Sequence, residues 1–190
     1  YAGCTMPKLS QIARKYEFTG FEFACGIPGT IGGGVRMNAG AYGSEISDVI
    51  EEITYLDENY EVKVMRKEEA KFSYRHSIFC DNKNLVVLSA KFVLKKGNIE
   101  EIESKMNEYT TARKTKQPIE YPNAGSTFKR PTGYFVGKLV QDAGLRGYKV
   151  GDMQVSEKHT GFIVNLGNAT CADVKKIIKD MCVSDFIRIF

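Results

Sequence analysis

Tryptophan is absent from the 190-residue sequence, and histidine occurs only twice. The five cysteines are scattered and odd in number, and none of them forms a Cys-X-X-Cys pair. So few paired ligands argue against a zinc site, and we expect no metal site. The same spacing predicts reduced thiols, as in a cytoplasmic protein. Cys25 has no neighbouring base and is interpreted as a packing residue.

Long apolar runs are lacking as well. No segment approaches the length of a membrane span, and the first residues lack the basic-then-apolar order of a signal peptide. The chain opens on Tyr-Ala-Gly-Cys without a methionine, which predicts a fragment or a processed product. Hydrophobic residues make up 43% of the chain and charged residues 26%. These shares are typical of a soluble globular protein.

Acidic residues are scarce in one part of the chain. Residues 113–149 contain eight lysines and arginines but only Glu120 and Asp142, while the whole chain carries a net charge of +4. A local positive field of this kind favours an anionic ligand. Nucleic acid is the weaker alternative, because no recognition-helix or RNA-recognition pattern accompanies the charge.

Glycine, by contrast, is concentrated in residues 25–43, which we call the glycine-rich segment. It contains seven glycines, one base and no acid. Without Cβ atoms, backbone N–H groups can approach a ligand closely, and a row of such groups suits a diphosphate. The alternative interpretation is a set of tight turns between short buried strands.

The apolar periodicity predicts an α+β fold of two linked units. We expect helices at 7–16 with Thr5 as a cap, at 99–113, at 134–143 with Phe135 facing inward, and at 170–181. We expect strands at 21–24, 49–56, 61–65, 85–94, 161–166 and 186–190, with a hairpin turn at 57–59. The sequence Lys-Thr-Lys-Gln-Pro at 114–118 is expected to end the second helix and to separate the two units.

Three further positions are candidates for chemistry. Arg75 follows Tyr74 in a β-prone segment and offers a guanidinium fork for a carboxylate, although a surface arginine is the alternative. Ser126 lies between Gly125 and a basic sequence, where a tight turn exposes the hydroxyl; a turn-forming serine is the alternative. Gln154, Glu157 and His159 form a polar stretch before an apolar strand, and a structural histidine is the plainer interpretation there. These residues alone indicate a site for a phosphorylated anion.

Several longer motifs carry a resemblance to a known family. They are Gly26-Ile-Pro-Gly-Thr-Ile-Gly-Gly, Met37-Asn-Ala-Gly-Ala-Tyr-Gly, Phe72-Ser-Tyr-Arg-His-Ser, Ala124-Gly-Ser-Thr-Phe-Lys-Arg-Pro, Ala143-Gly-Leu-Arg-Gly-Tyr, Gly151-Asp-Met-Gln-Val-Ser-Glu-Lys-His and Phe162-Ile-Val-Asn. In this order and spacing, over residues 2–181, they resemble the UDP-N-acetylenolpyruvoylglucosamine reductase (MurB) family. The absence of a tyrosine-bearing insertion between Leu94 and Ile99 indicates the shorter-loop subtype.

The resemblance implies a fold and an activity. Residues 1–113 would be the second half of a vanillyl-alcohol-oxidase-like FAD-binding domain, residues 114–183 a small α+β domain for the UDP-sugar substrate, and residues 184–190 a tail. In this family NADPH reduces bound FAD, and flavin N5 passes a hydride to the enolpyruvyl ether, giving UDP-N-acetylmuramate. The resemblance thus implies a cytoplasmic oxidoreductase of peptidoglycan synthesis, active in cell wall biogenesis, cell shape and cell division. Its partners would be UDP-sugar and NADPH, without nucleic acid or membrane, and it would be monomeric at full length.

The resemblance also assigns roles to residues. Arg75 matches the arginine that stabilises the carbanionic intermediate, and Ser126 matches the serine that donates the proton. The residues expected along FAD are Gly26, Ile27, Pro28, Gly29, Thr30, Gly33, Ala39 and Gly40. Those expected around the UDP-sugar are Tyr74, Arg130, Arg146, Gln154, His159 and Asn165.

The sequence departs from the family pattern in three places. Family members begin with a further part that carries a Gly-Asn-Gly-Ser-Asn phosphate loop, which the printed sequence does not contain. If Arg188 matches the arginine of the family's C-terminal strand, Phe186 occupies the position of the catalytic glutamate, and Asp185 is the nearest acid. His76 replaces the usual aspartate. Two alternatives therefore stay open: a non-catalytic UDP-sugar-binding remnant, and another FAD oxidoreductase.

Overall fold

The computed structural model describes residues 1–183 and divides the chain into two compact units. The first unit is Tyr1–Thr111, and the second begins at Ala112. The expected tail at 184–190, with its strand at 186–190, lies outside the described residues, as do Asp185, Phe186 and Arg188. Helices and sheets occur in both units, so the predicted α+β class is confirmed.

Among its described residues, the first unit contains five helices and seven strands, and the last of these helices extends past the boundary at Thr111. The helices are α1 (Met6–Lys15), α2 (Ile31–Met37), α3 (Ile46–Val49), α4 (Ile78–Asp81) and α5 (Ile99–Lys116). The strands are β1 (Phe18–Thr19), β2 (Gly40–Ala41), β3 (Ser44–Glu45), β4 (Ile50–Leu56), β5 (Val62–Arg66), β6 (Val86–Phe92) and β7 (Lys95–Lys96). Two 3₁₀ turns, Glu22–Ala24 and Lys67–Ala70, complete the unit.

An antiparallel sheet in the order β5-β4-β6 is the centre of the first unit. Ile53 pairs with Met65 on one side and with Ala90 on the other. The predicted hairpin is confirmed, and Asp57 shapes its turn, because Oδ1 accepts the N–H groups of Asn59 at 2.8 Å and Glu61 at 2.9 Å. The Lys63 ammonium and these N–H groups lower the pKa of the Asp57 carboxyl below its ordinary value.

Helix α1 packs against β1 and the 3₁₀ turn Glu22–Ala24, and its cap and apolar face are visible in the sequence. The Thr5 hydroxyl accepts the N–H of Lys8 at 3.3 Å, an N-cap that typically contributes about 1 kcal/mol. Met6 and Ala13 share the inward face and are buried. Tyr42 fastens α5 to the same unit, since its hydroxyl donates to the carbonyl of Tyr109 at 2.8 Å and the two rings stack at 4.1 Å.

Two expectations for the first unit were wrong. In the expected strand at 21–24, Glu22–Ala24 form a 3₁₀ turn, because the Glu22 carboxylate accepts the Thr19 hydroxyl and the Gly20 N–H and folds the chain back. Phe21 and Phe23 are both buried in that turn, so their alternation does not mark a strand. Helix α5 also continues to Lys116, since Lys114 and Lys116 are good helix formers and Pro118 lies two positions beyond its end.

After the end of α5, the described residues of the second unit form an antiparallel sheet and two helices. The strands are β8 (Asn123–Ser126), β9 (Lys149–Val150), β10 (Met153–Val155) and β11 (Phe162–Asn165), in the order β8-β11-β10-β9. The helices are α6 (Val136–Asp142) and α7 (Cys171–Val183). Thr170 and Asp173 begin α7 by exchanging hydrogen bonds between side chain and backbone N–H. The core residues are Val136, Val140, Met153, Val155, Ile163, Ile177 and Met181.

The expected inward position of Phe135 was wrong. Phe135 precedes α6 in an extended conformation and is 62% exposed. The Arg130 guanidinium lies over its ring, 3.9 Å from the centroid, so a cation–π contact covers one face of the ring. Among residues 1–183, no helix combines the length and apolarity needed to cross a membrane.

Candidate functional site

The glycine-rich segment is a loop followed by a short helix. Residues 26–30 form the loop, and the Thr30 hydroxyl begins α2 by accepting the N–H of Gly33 at 3.4 Å. Of the residues expected along a flavin, half are exposed: Pro28, Gly29, Thr30 and Gly33. The others are half-buried: Gly26, Ile27, Ala39 and Gly40. The segment is therefore neither a continuous loop nor a set of turns between strands.

Backbone hydrogen bonds hold this loop against the start of the chain. The carbonyl of Gly29 accepts the N–H of Met6 at 2.9 Å, and Ile31 donates to the carbonyl of Cys4 at 2.8 Å. Within the described residues 1–183, the N–H groups of Gly29 and Thr30 have no acceptor. Both residues are exposed, so these N–H groups are available to an anionic oxygen.

The space around Gly33 fits a flat ligand. A Cβ built on Gly33 would have only the Thr30 hydroxyl within 4 Å, at 3.8 Å. The surface above it is thus open, and the residue is exposed. The residues present therefore fit the cofactor that the motifs imply, through an open surface and free backbone donors.

Arg75 lies at the other end of the same segment. Its guanidinium donates to the carbonyl of Asn38 at 3.3 Å and to that of Gly40 at 2.5 Å, and it lies 5.0 Å from the centre of the Tyr74 ring. The structure thus brings the expected catalytic arginine to the expected cofactor residues Ala39 and Gly40. Arg75 has φ +53°, a left-handed conformation that is uncommon for an arginine.

Sequence reasoning missed Asn38, which is fully buried beside Arg75. Its amide donates to Glu45 Oε1 at 2.7 Å and to the carbonyl of Ser73 at 3.0 Å, and its Oδ1 accepts the N–H of Ser47 at 2.9 Å. The signal available in the sequence was one asparagine where the chain turns after α2. Asparagine tolerates positive φ better than most residues, and Asn38 has φ +43°.

Gly40 permits the close approach of β2 to β3. A Cβ at this position would lie 2.5 Å from the carbonyl oxygen of Ser44 and 2.6 Å from the Cβ of Glu45. Backbone cannot move aside as a flexible side chain can, so only glycine fits. This is a packing reason for one of the glycines that the motifs place at the cofactor.

Ser126 and His159 lie at one end of the sheet in the second unit. Ser126 is exposed at the end of β8 and pairs with Phe162, whose ring meets the His159 ring at 4.9 Å. The Nδ1 of His159 accepts the N–H of Gly161 at 3.1 Å, which leaves the proton of a neutral ring on Nε2. The expected tight turn is replaced by a strand, because Gly125 and Ser126 both lie in β8; Gly125 has φ +84° where the register with β11 shifts, and Ser126 is exposed there.

Arg146 and Gln154 form a second group in this unit. The Arg146 guanidinium donates to the carbonyl of Glu157 and, at 2.7 Å, to Oε1 of Gln141. Gln154 donates to the carbonyl of Gly147 at 3.2 Å, next to Arg146. Gln141 is a further residue that sequence reasoning missed, because it lies on α6 and reaches Arg146 only in the fold.

Arg130 and Asn165 make contacts with residues near them in the sequence of the second unit. Arg130 donates to the carbonyl of Tyr134 at 3.1 Å and lies over Phe135. Asn165 ends β11, about 10 Å along the strand from Phe162, and its Oδ1 accepts the N–H groups of Gly167 and Ala169. Its side chain therefore shapes a turn.

In the second unit, the groups whose pKa values are shifted lie outside the candidate site. Tyr148 donates to Asp180 Oδ2 at 2.8 Å, and this bond raises the pKa of the Tyr148 hydroxyl. Lys176 and Tyr148 together lower the pKa of the Asp180 carboxyl. These contacts fasten α7 to β9. Among the described residues, no group of three or more His, Cys, Asp or Glu side chains is arranged to hold a metal ion.

Comparison with family models identifies two regions of the chain. Residues 1–65 match an FAD binding domain. Residues 117–183 match the C-terminal domain of UDP-N-acetylenolpyruvoylglucosamine reductase. The first region includes the glycine-rich segment, and the second includes Ser126.

Individual relatives match over nearly the whole chain. A UDP-N-acetylenolpyruvoylglucosamine reductase of Caldanaerobacter subterraneus is 54% identical over 178 residues, which are 94% of this chain and 59% of the relative. One of Agathobacter rectalis is also 54% identical, over 95% of this chain and 57% of the relative. The crystal structure of the reductase from Thermus caldophilus superposes with a TM-score of 0.88 at 35% identity, over 95% of this chain and 66% of that structure. The chain thus spans somewhat less than three fifths of the Caldanaerobacter and Agathobacter reductases.

Proposed function

Because the chain belongs to the UDP-N-acetylenolpyruvoylglucosamine reductase family, we propose that its protein reduces the enolpyruvyl ether of UDP-N-acetylglucosamine enolpyruvate. The product would be UDP-N-acetylmuramate, and NADPH would be the reductant. This reaction belongs to peptidoglycan precursor synthesis in the cytoplasm, and through it to cell wall biogenesis, cell shape and cell division. The observation that carries the proposal is the hydrogen bond of the Arg75 guanidinium to the glycine-rich segment. The same chain has Ser126 in a region that matches the C-terminal domain of the reductase.

The division of labour follows the two units. We propose that residues 1–113 contribute to FAD binding and residues 114–183 to UDP-sugar binding. FAD would lie on the exposed loop and α2, held by Gly26, Ile27, Pro28, Gly29, Thr30, Gly33, Ala39 and Gly40. The free N–H groups of Gly29 and Thr30 would bind its diphosphate. When bound, FAD supplies the hydride that it receives from NADPH.

Arg75 and Ser126 would act on the substrate. Hydride addition to the vinyl carbon leaves enolate character beside a carboxylate, and the Arg75 guanidinium would stabilise that negative charge. Ser126 would then donate a proton to the enolate carbon. A hydroxyl is a weak acid, but a reactive enolate needs a proton in the right position more than a strong acid.

The positive charge of the second unit suits the other end of the substrate. Arg130 and Arg146 would supply positive charge for the diphosphate of the UDP-sugar, and Tyr74, Gln154, His159 and Asn165 would also take part in substrate binding. Gln141 and the carbonyl of Glu157 already hold the Arg146 guanidinium in place. Its side chain therefore loses little conformational entropy when the substrate binds. We propose UDP-sugar and NADPH as the partners of a monomeric protein, without nucleic acid or membrane.

The experiment that tests the FAD proposal is the substitution Gly33→Ala. The position is open, and alanine is favoured over glycine within a helix by about 0.5–1 kcal/mol. We expect the flavin-free variant to be at least as stable as the unsubstituted protein. If FAD lies on this surface, the added methyl group should weaken FAD binding roughly tenfold or more, about 1.4 kcal/mol.

Thermal unfolding without FAD and fluorescence titration with FAD measure the two effects. Gly3→Ala is the matched control, since Gly3 is exposed and a Cβ there meets nothing within 4 Å. The control should bind FAD like the unsubstituted protein. Unchanged FAD affinity in the Gly33→Ala variant would show that the flavin does not lie on this surface. A protein that binds no FAD would contradict the proposed activity itself.

A further inference from the structure

We propose that Asn38 is a positioning residue for Arg75, and that it holds the Ser73–His76 turn against the glycine-rich segment so that the guanidinium stays in one place. The inference rests on the proposed function, because it takes Arg75 as the group that stabilises charge on the substrate. It adds a residue to which the motifs assign no role. Asn38 itself is buried and would not touch the substrate.

The hydrogen bonds of Asn38 reach three parts of the chain. One amide hydrogen is donated to Glu45 Oε1 and the other to the carbonyl of Ser73, at 2.7 and 3.0 Å. Its Oδ1 accepts the N–H of Ser47 at 2.9 Å. Both donors and the acceptor of the side chain are thus used. A fully satisfied buried polar group fixes the position of every element that it contacts.

The turn that carries Arg75 needs such support. Ser73 and His76 exchange backbone hydrogen bonds, both at 3.1 Å, and between them Arg75 has φ +53°. A strained residue of this kind persists only where its surroundings hold it. Asn38 contacts the turn twice, because its side chain binds Ser73 and its own carbonyl accepts the Arg75 guanidinium at 3.3 Å.

An amide is the only group of this size that meets the requirement. Two hydrogen-bond donors must face two acceptors, the Glu45 carboxylate and the Ser73 carbonyl, while an oxygen faces the Ser47 N–H. An aspartate has nearly the same shape and also tolerates positive φ, but it offers oxygens where both donors are needed. Asn38→Asp therefore changes the bonds to the turn with little change in volume.

The competing explanation is that Asn38 only forms a turn. Loss of a mere turn-former would lower stability and FAD retention, and it would affect both half-reactions of the enzyme alike. A residue that acts through Arg75 would slow the step that uses Arg75 and spare the reduction of flavin by NADPH. It would also have little further effect once Arg75 has been replaced.

The test is a double-mutant cycle of Asn38→Asp and Arg75→Lys, with the two half-reactions measured separately by stopped-flow absorbance of the flavin. Asn107→Asp is the matched control, because Asn107 is exposed on α5. We expect Asn38→Asp to slow reduction of the enolpyruvyl substrate roughly tenfold to a hundredfold and to leave flavin reduction within about twofold. In the Arg75→Lys background it should add less than about threefold. If Asn38→Asp does not fold, Asn38→Gly keeps the backbone conformation and replaces it.

Hydrogen exchange of residues 72–78, followed by mass spectrometry, gives a readout that needs no turnover. Asn38→Asp should speed exchange there, and Asn107→Asp should not. Unchanged exchange, an equal loss in both half-reactions, or full additivity with Arg75→Lys would each overturn the inference. A wild-type protein without enolpyruvyl reduction would contradict the proposed function instead, and the exchange rates would still decide whether Asn38 holds the turn.

Discussion

Replacing Ser126 by alanine is expected to slow reduction of the enolpyruvyl substrate by about 10²–10⁴-fold, the usual contribution of a positioned proton donor. Reduction of the flavin by NADPH should be unchanged, because no proton from Ser126 is needed in that step. The variant should fold normally, since Ser126 is exposed at the end of β8 and a methyl group replaces only its hydroxyl. Stopped-flow measurement of the two half-reactions separates these effects.

Ser104→Ala is the control for this experiment. Ser104 is exposed on α5, so its loss tests the same chemical change away from the candidate site. Both half-reactions should stay at the wild-type rate in the control. If Ser126→Ala slowed both half-reactions equally, Ser126 would be a structural residue, and its assignment as proton donor would be wrong.

Replacing Arg75 by alanine is expected to have the second large effect. The guanidinium would supply the positive charge that meets the developing enolate, and removal of such a group typically costs about 10²–10³-fold in rate. Its hydrogen bonds to the carbonyls of Asn38 and Gly40 would be lost as well. We expect the rate of substrate reduction to fall by that factor.

Arg75→Lys distinguishes charge from geometry. Lysine keeps the positive charge but lacks the planar fork that reaches two carbonyls at once. Its rate should therefore lie between those of the wild type and Arg75→Ala. Arg66→Lys, at the exposed end of β5, is the control and should leave the rate unchanged. Equal activity of Arg75→Ala and wild type would exclude Arg75 from the chemistry.

Much of the fold could be predicted because local patterns and tertiary packing agree. The β4–β5 hairpin has alternating apolar residues around an Asp-Glu-Asn turn, and the structure forms it with Asp57 binding the turn. Helix α1 has a threonine cap and an apolar face, and both are used. In such places the sequence signal and the final contacts lie within a few residues of each other.

The elements that could not be predicted depend on contacts from elsewhere in the chain. Helix α2 contains three consecutive glycines, which local propensity disfavours, and bonds to Ala2 and Cys4 hold its first turn. Strands β8 and β10 are short; β8 pairs with β11, and β10 pairs with both β11 and β9. The hydrophobicity of Phe135 predicted that its side chain would lie in the core. In the structure Phe135 is exposed, and its ring contacts the Arg130 guanidinium.

The candidate site likewise contains residues that the sequence predicted and residues that it did not. The motifs predicted Arg75 and the glycine-rich segment, and the structure brings Arg75 to Gly40. The contacts of Asn38 with Ser73 and Arg75 join residues 35 and 37 positions apart, so their pairing shows only in the fold. Gln141 lies five positions before Arg146, but its bond to the guanidinium depends on how the chain turns after α6. Residues that hold others in place leave no spacing pattern, so they become visible only in the fold.

The most direct measurement is the oxidation of NADPH by the purified protein with the enolpyruvyl ether of UDP-N-acetylglucosamine as substrate. We expect a flavin-containing protein that oxidises NADPH only when this substrate is present, with UDP-N-acetylmuramate as the product in mass spectrometry. A colourless protein that binds the UDP-sugar and leaves NADPH unoxidised would contradict the account and identify a UDP-sugar-binding protein without reductase activity.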